Sequence, residues 1–126
     1  PLICYEIIYV EEIKKKNQQP DLIINISEDA WFGKSVGPQQ HFSKAIYRSI
    51  EEGVFIARSA NKGISAFIDP HGRVIKSLNT GESGNIQLNF PYFTSSTLFA
   101  NFGNKLFFLI ILLYIFLTLI LKKLKI

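Results

Sequence analysis

Pro1-Leu2-Ile3-Cys4-Tyr5-Glu6 opens the chain and contains its one cysteine. Leu2 and Ile3 read as the end of a buried strand. Ile7, Val10 and Ile13 then recur at helical spacing through a segment that also carries Glu6, Glu11 and Glu12. A strand that turns sharply into a helix pushes one side chain out at the sheet edge, next to the helix N-terminus, as in a nucleophile elbow. The helix dipole there favours a thiolate, the reactive form of cysteine. A nucleophilic cysteine also needs a base, and the only one close to Cys4 in sequence is Glu6. The competing reading is a small buried hydrophobe with no chemistry, and position alone leaves both open.

Outward from this stretch, Lys14-Lys15-Lys16-Asn17-Gln18-Gln19 reads as a solvated helix exit that Pro20 stops. Residues 21–27 form an almost continuous apolar run, expected as a strand covered on both faces. Residues 28–38 are expected as a loop because Gly33, Gly37 and Pro38 break regular structure. Phe42, Ala45, Ile46 and Ile50 predict a helix over residues 39–52, closed by Gly53. Strands are expected at 54–60, 64–68, 74–78 and 85–90. Asp69-Pro70-His71-Gly72 is a hairpin turn with proline at its second position. Strands and helices in alternation, followed by hairpins, define layered α/β with a sheet covered by helices.

The 126 residues hold one domain of ordinary size. The chain begins at proline and contains no methionine, so a C-terminal piece of a longer protein is expected, one that does not fold alone. One cysteine excludes an internal disulfide, and two histidines, His41 and His71, argue against a protein-held metal. The formal charge is +4, yet residues 1–104 carry ten basic and ten acidic side chains. The excess is Lys105, Lys122, Lys123 and Lys125, so no basic stripe for nucleic acid exists in the folded part. Residues 106–121 are uncharged and apolar on every face, slightly short of the usual span of about 17 to 25 residues. The flanking lysines extend its reach by snorkelling, and we expect a transmembrane helix at 105–121. Residues 93–104 then form an interfacial linker that includes Phe93, Phe99 and Phe102. Residues 122–126 form a basic cytoplasmic tail, with the α/β domain of residues 1–92 on the opposite side.

Trp31 and Phe32 sit in the loop Ser27-Glu28-Asp29-Ala30-Trp31-Phe32-Gly33. Capping the core and gripping acyl chains or a membrane surface are equally open to them.

Five motifs in order resemble the C-terminal part of the bacterial apolipoprotein N-acyltransferases, membrane-bound members of the nitrilase superfamily. These are Pro1 to Glu6, Asp29-Ala30-Trp31-Phe32-Gly33, Gly37-Pro38 with Gln40-His41, Arg58-Ser59-Ala60-Asn61 with Gly63-Ile64-Ser65, and Asp69-Pro70-His71-Gly72-Arg73. The resemblance implies the C-terminal part of a nitrilase-like αββα sandwich, anchored in the bacterial inner membrane, facing the periplasm, with no cofactor. It matches Cys4 to the nucleophile of a Glu-Lys-Cys triad and Tyr5 and Glu6 to its support. The Glu and Lys lie upstream of this stretch in that family. The implied reaction moves a fatty acyl chain from a phospholipid, through a cysteine thioester, to the amine of a diacylglyceryl-cysteine apolipoprotein. Trp31 and Phe32 fall near the mouth of the implied site and are expected to contact substrate. Arg58 is placed with them, although pairing with a carboxylate is equally open to it. Asn61 is expected to hold a turn and His41 to pack. Glu28 and Gln39 depart from the family's Asn and Trp, and Glu28 adds a charge beside the site. Other classes are a nitrilase-type amidase and a catalytically dead, membrane-tethered domain.

Overall fold

A computed structural model describes residues 1–9, 20–89 and 96–124. Five strands form one mixed sheet: β1 (Leu2–Ile3), β2 (Leu22–Glu28), β3 (Phe55–Asn61), β4 (Ser65–Ile68) and β5 (Val74–Leu78), in spatial order β1-β2-β3-β4-β5. β1, β2 and β3 run parallel, while β3-β4-β5 is an antiparallel meander. Parallel neighbours require crossovers, and helix α1 (Gly37–Glu52) forms the one between β2 and β3. The register puts Ile3 beside Ile26 and Glu28 beside Asn61, so three strand ends share one edge.

The core lies between the sheet and α1. Ile7, Ile23, Ala45, Val54, Ile56, Ala66 and Ile68 are buried together, with Phe42 and Ile46 packed against them. Arg48 reaches from α1 to the chain after Cys4, donating from Nε to the Ile7 carbonyl at 3.2 Å and from Nη2 to that of Ile8 at 3.2 Å. It thereby satisfies carbonyls that a short helix leaves without partners.

Several expectations change. A 3-10 helix (Cys4–Ile8) follows β1, closed by the bond from Tyr9 N–H to the Glu6 carbonyl at 3.1 Å. The rest of the expected first helix and the Lys14–Lys16 run lie outside the described residues. Among the described residues only one face of β2 is covered. Ile23, Asn25 and Ser27 are buried, while Ile24 and Ile26 alternate with them and are exposed. The apolar run therefore hid a period of two. Pro38 opens α1 instead of ending a loop, because a fixed φ and a missing N–H suit the first turn of a helix. Residues 85–89 are not a strand. They run back over the uncovered face, where Gly84, Asn85 and Ile86 border a cleft of about 510 Å³ with Ile24, Ala57 and Phe67. Lys76 Nζ donates to the Gln87 carbonyl at 2.6 Å, a side-chain tie where an edge ladder was expected. The 69–72 turn matches expectation: Asp69 Oδ1 accepts from the backbone N–H of His71 and Arg73, and Gly72 has φ 79°.

Helix α2 (Leu98–Phe102) is capped by Thr97, whose Oγ1 accepts from Ala100 N–H at 2.8 Å and donates to the Glu51 carbonyl. Helix α3 (Lys105–Leu124) follows, longer than the expected 105–121. An 18-residue window within residues 105–123 has a mean hydropathy of 2.4 and is unburied, so the helix is long and apolar enough to cross a membrane. Residues 90–95, including Phe93 of the expected interfacial linker, lie outside the described residues.

Candidate active site

Cys4 follows directly on β1, at the edge where the parallel strands end. Its φ is 50°, a region L-residues other than Gly, Asn and Asp rarely occupy. The backbone thus makes the sharp bend of an elbow at the cysteine itself. Glu6 holds the bend: its Oε2 accepts from Ile3 N–H at 2.6 Å. Cys4 is half-buried, with Sγ 3.9 Å from the Glu28 carbonyl oxygen and 3.9 Å from Ser27 Oγ.

Beneath the sulfur lies a buried polar network centred on Asp29. Its Oδ1 accepts from Ser27 Oγ at 2.7 Å and pairs with His41 Nδ1 at 2.9 Å. Its Oδ2 accepts from Arg58 Nη2 at 2.8 Å. Arg58 stands opposite Asn25 in the β2–β3 register and donates to Asn25 Oδ1 and, from Nε, to the Ile64 carbonyl at 3.3 Å. Burial alone would raise the Asp29 carboxyl, but hydrogen bonds from Ser27 and His41 and the charge of Arg58 hold it below its ordinary value. Burial also lowers Arg58 from its usual value, opposed by Asp29 and by Cys4.

The aromatics continue this network outward. Tyr5 stacks on His41 with centroids 5.1 Å apart and planes 24° apart. Phe32 lies against both rings, 5.9 Å from His41 and 6.3 Å from Tyr5. Trp31 lies 6.5 Å from Phe32 and is 73% exposed. Both belong to a 3-10 turn (Ala30–Phe32), whose first N–H donates to Glu28 Oε1 at 2.9 Å. Glu28 Oε2 accepts from Asn61 Nδ2 at 2.7 Å, so Asn61 ties two strand ends together. These two bonds depress the Glu28 carboxyl below its usual range.

Cys4, Tyr5, Glu6, Trp31 and Phe32 therefore gather at one edge of the sheet. Arg58 does not join them at the surface, since its guanidinium is fully buried on Asn25 and Asp29. Asn25, Ser27 and Asp29 were not singled out from sequence. Asn25 and Ser27 share one face of β2 by their spacing of two, and Asp29 continues that spacing just past the strand's end. Among the described residues no group of three or more His, Cys, Asp or Glu side chains is arranged to hold a metal ion.

The ends of the parallel strands thus carry a sharply bent cysteine above a buried ionic network. The chain belongs to the carbon-nitrogen hydrolase family, whose profile matches residues 1–91. Several similar proteins carry the name apolipoprotein N-acyltransferase. The apolipoprotein N-acyltransferase of Rickettsia prowazekii (strain Madrid E) is 46% identical over 121 residues, covering 95% of this chain and 24% of that protein. Those of Rickettsia bellii (strain RML369-C) and Bradyrhizobium diazoefficiens are 47% identical over 119 residues and 45% over 104, covering 94% and 82% of this chain and 24% and 19% of theirs. The chain thus spans about a fifth to a quarter of the length of these relatives.

Proposed function

We propose that the protein containing this chain is an apolipoprotein N-acyltransferase with Cys4 as its nucleophile. The observation that carries the reading is Cys4 itself, held at φ 50° on the strand-end edge of a chain whose relatives bear that name. The Cys4 thiolate attacks the ester carbonyl of a phospholipid acyl chain. The carbon–oxygen bond breaks, the lysophospholipid leaves with a proton, and a thioester remains. The amine of a diacylglyceryl-cysteine lipoprotein attacks that thioester, the carbon–sulfur bond breaks, and the amide forms as the amine loses a proton and the thiolate returns. A covalent intermediate splits one hard transfer into two easier ones.

Residues upstream supply the general-base Glu and the Lys that stabilises the oxyanion. They also supply a second sheet against the face bearing Ile3, Ile24 and Ile26, completing an αββα sandwich; these exposed isoleucines support that reading. Tyr5 and Glu6 hold the nucleophile's turn, and Trp31 and Phe32 receive the acyl chain. Arg58 acts from below, through Asp29, without touching substrate. Helix α3 spans the inner membrane with the lysine-rich tail in the cytoplasm and residues 1–92 on the periplasmic side, so lipid substrates reach Cys4 without leaving the bilayer.

The test uses the full-length protein in detergent micelles with a phospholipid and a diacylglyceryl-cysteine peptide. Amide formation that Cys4→Ala abolishes is expected. Release of ammonia from small amides, without acyl transfer, would favour an amidase instead. Neither activity would leave a tethered, inactive domain.

A further inference from the structure

We propose that His41 is a positioning residue for acyl transfer, coupling the Trp31 end of the site to the Cys4 turn; this rests on the acyltransferase reading above. Its imidazole is buried, with 2% of the side chain exposed, and clamped through Nδ1 to Asp29 at 2.9 Å. With the proton on Nδ1, His41 donates to Oδ1, and Arg58 Nη2 lies 3.2 Å from the same nitrogen. Nε2 is also buried, with no hydrogen-bond partner among the described residues. A group chosen for packing alone would avoid that cost, which an apolar ring escapes.

The ring serves as a fixed plate. Tyr5, next to the nucleophile, stacks on it at 5.1 Å, and Phe32, next to Trp31, packs against it at 5.9 Å. Tyr5 is half-exposed and Phe32 only partly buried, so neither is anchored as His41 is. An acyl chain that presses on Trp31 and Phe32 therefore acts on the plate that sets Tyr5 and the bend at Cys4. The pair Asp29–His41 transmits this by rigidity, without proton transfer.

A double-mutant cycle in the full-length protein tests it. The rate of Cys4 thioester formation is followed in a single turnover with dipalmitoylphosphatidylethanolamine carrying a radiolabelled acyl chain. The proteins are native, His41→Asn, Trp31→Ala and the double variant. Asparagine keeps a donor for Asp29 and removes the plate. Trp31→Ala is expected to slow the native protein about tenfold and the His41→Asn protein less than about twofold, a non-additivity of roughly fivefold that separate, independent roles do not produce. Equal slowing in both backgrounds overturns the proposal. If His41→Asn loses its cooperative melt, the same cycle with His41→Gln decides, with coupling expected and additivity overturning it. A native protein that forms no thioester removes the acyl-transfer reading itself, a result distinct from additivity.

Discussion

A Cβ on Gly63 would fall 2.2 Å from Asp29 Oδ2, so the carboxylate occupies the space that a side chain at position 63 needs. The turn between β3 and β4 therefore fixes the centre of the buried network. Gly63→Ala is expected to push Asp29 off Arg58 and destabilise the full-length protein by about 1–3 kcal/mol, the usual cost of overpacking. Thermal melts check this, and an unchanged melting temperature would show that Asp29 yields freely.

Acid should attack the same residue. Burial raises the Asp29 carboxyl, but its bonds to Ser27 and His41 and the charge of Arg58 depress it overall. A carboxyl depressed in the folded state stabilises above its unfolded pKa, about 3.9, and that stability is lost as pH falls through the folded value. Stability of the full-length protein is thus expected to drop below about pH 4. Asp29→Asn should show a shallower acid loss, because no proton is taken up there. It should also lose about 3–5 kcal/mol at neutral pH by leaving Arg58 buried without its counter-charge. Denaturant titrations across pH measure both, and parallel acid profiles would exclude Asp29 as their source.

Trp31 and Phe32 should part company on mutation. Trp31 is exposed and supports no core, so Trp31→Ala is expected to leave the melt unchanged and slow acyl transfer about tenfold, the value of burying part of a large apolar side chain. Phe32 packs where a Cβ on Gly37 would stand 2.3 Å from its ring. Phe32→Ala should therefore lower both stability and transfer. Full transfer in both variants would dissociate the loop from the substrate.

Helix α3 makes a separate prediction. Leu113 and Leu117 lie in its exposed, uncharged middle. Leu113→Arg with Leu117→Arg should disfavour insertion by about 6–8 kcal/mol on the per-residue insertion scale. A reporter fused to the C-terminus that fluoresces only in the cytoplasm should be bright in the native protein and dimmed by the double substitution. Equal fluorescence would argue against a span.

Much of this fold is legible from local pattern. The spacing of Phe42, Ala45 and Ile46 locates α1, and Asp69-Pro70-His71-Gly72 locates the hairpin, since periodicity and turn chemistry are properties of neighbouring residues. Cys4 is also legible as a bend, because a strand meets a helical pattern there. The Asp29 network is not. Arg58 reaches Asn25 and Asp29 only through the β2–β3 register, a pairing across more than twenty-five intervening residues that no local signal encodes. That register also decides Arg58's place: read alone it suits substrate contact and a carboxylate partner equally, and in the sheet a buried acid takes it. The 85–89 segment misled for a related reason, since its alternation is that of a strand while its route crosses the open face.

The most direct test of the central claim is mass spectrometry of the Cys4 peptide after the full-length protein meets phospholipid without an acceptor. The account predicts a fatty acyl mass on Cys4 that hydroxylamine removes, absent from Cys4→Ala. An unmodified Cys4 in a protein that still delivers acyl chains to lipoprotein would contradict it.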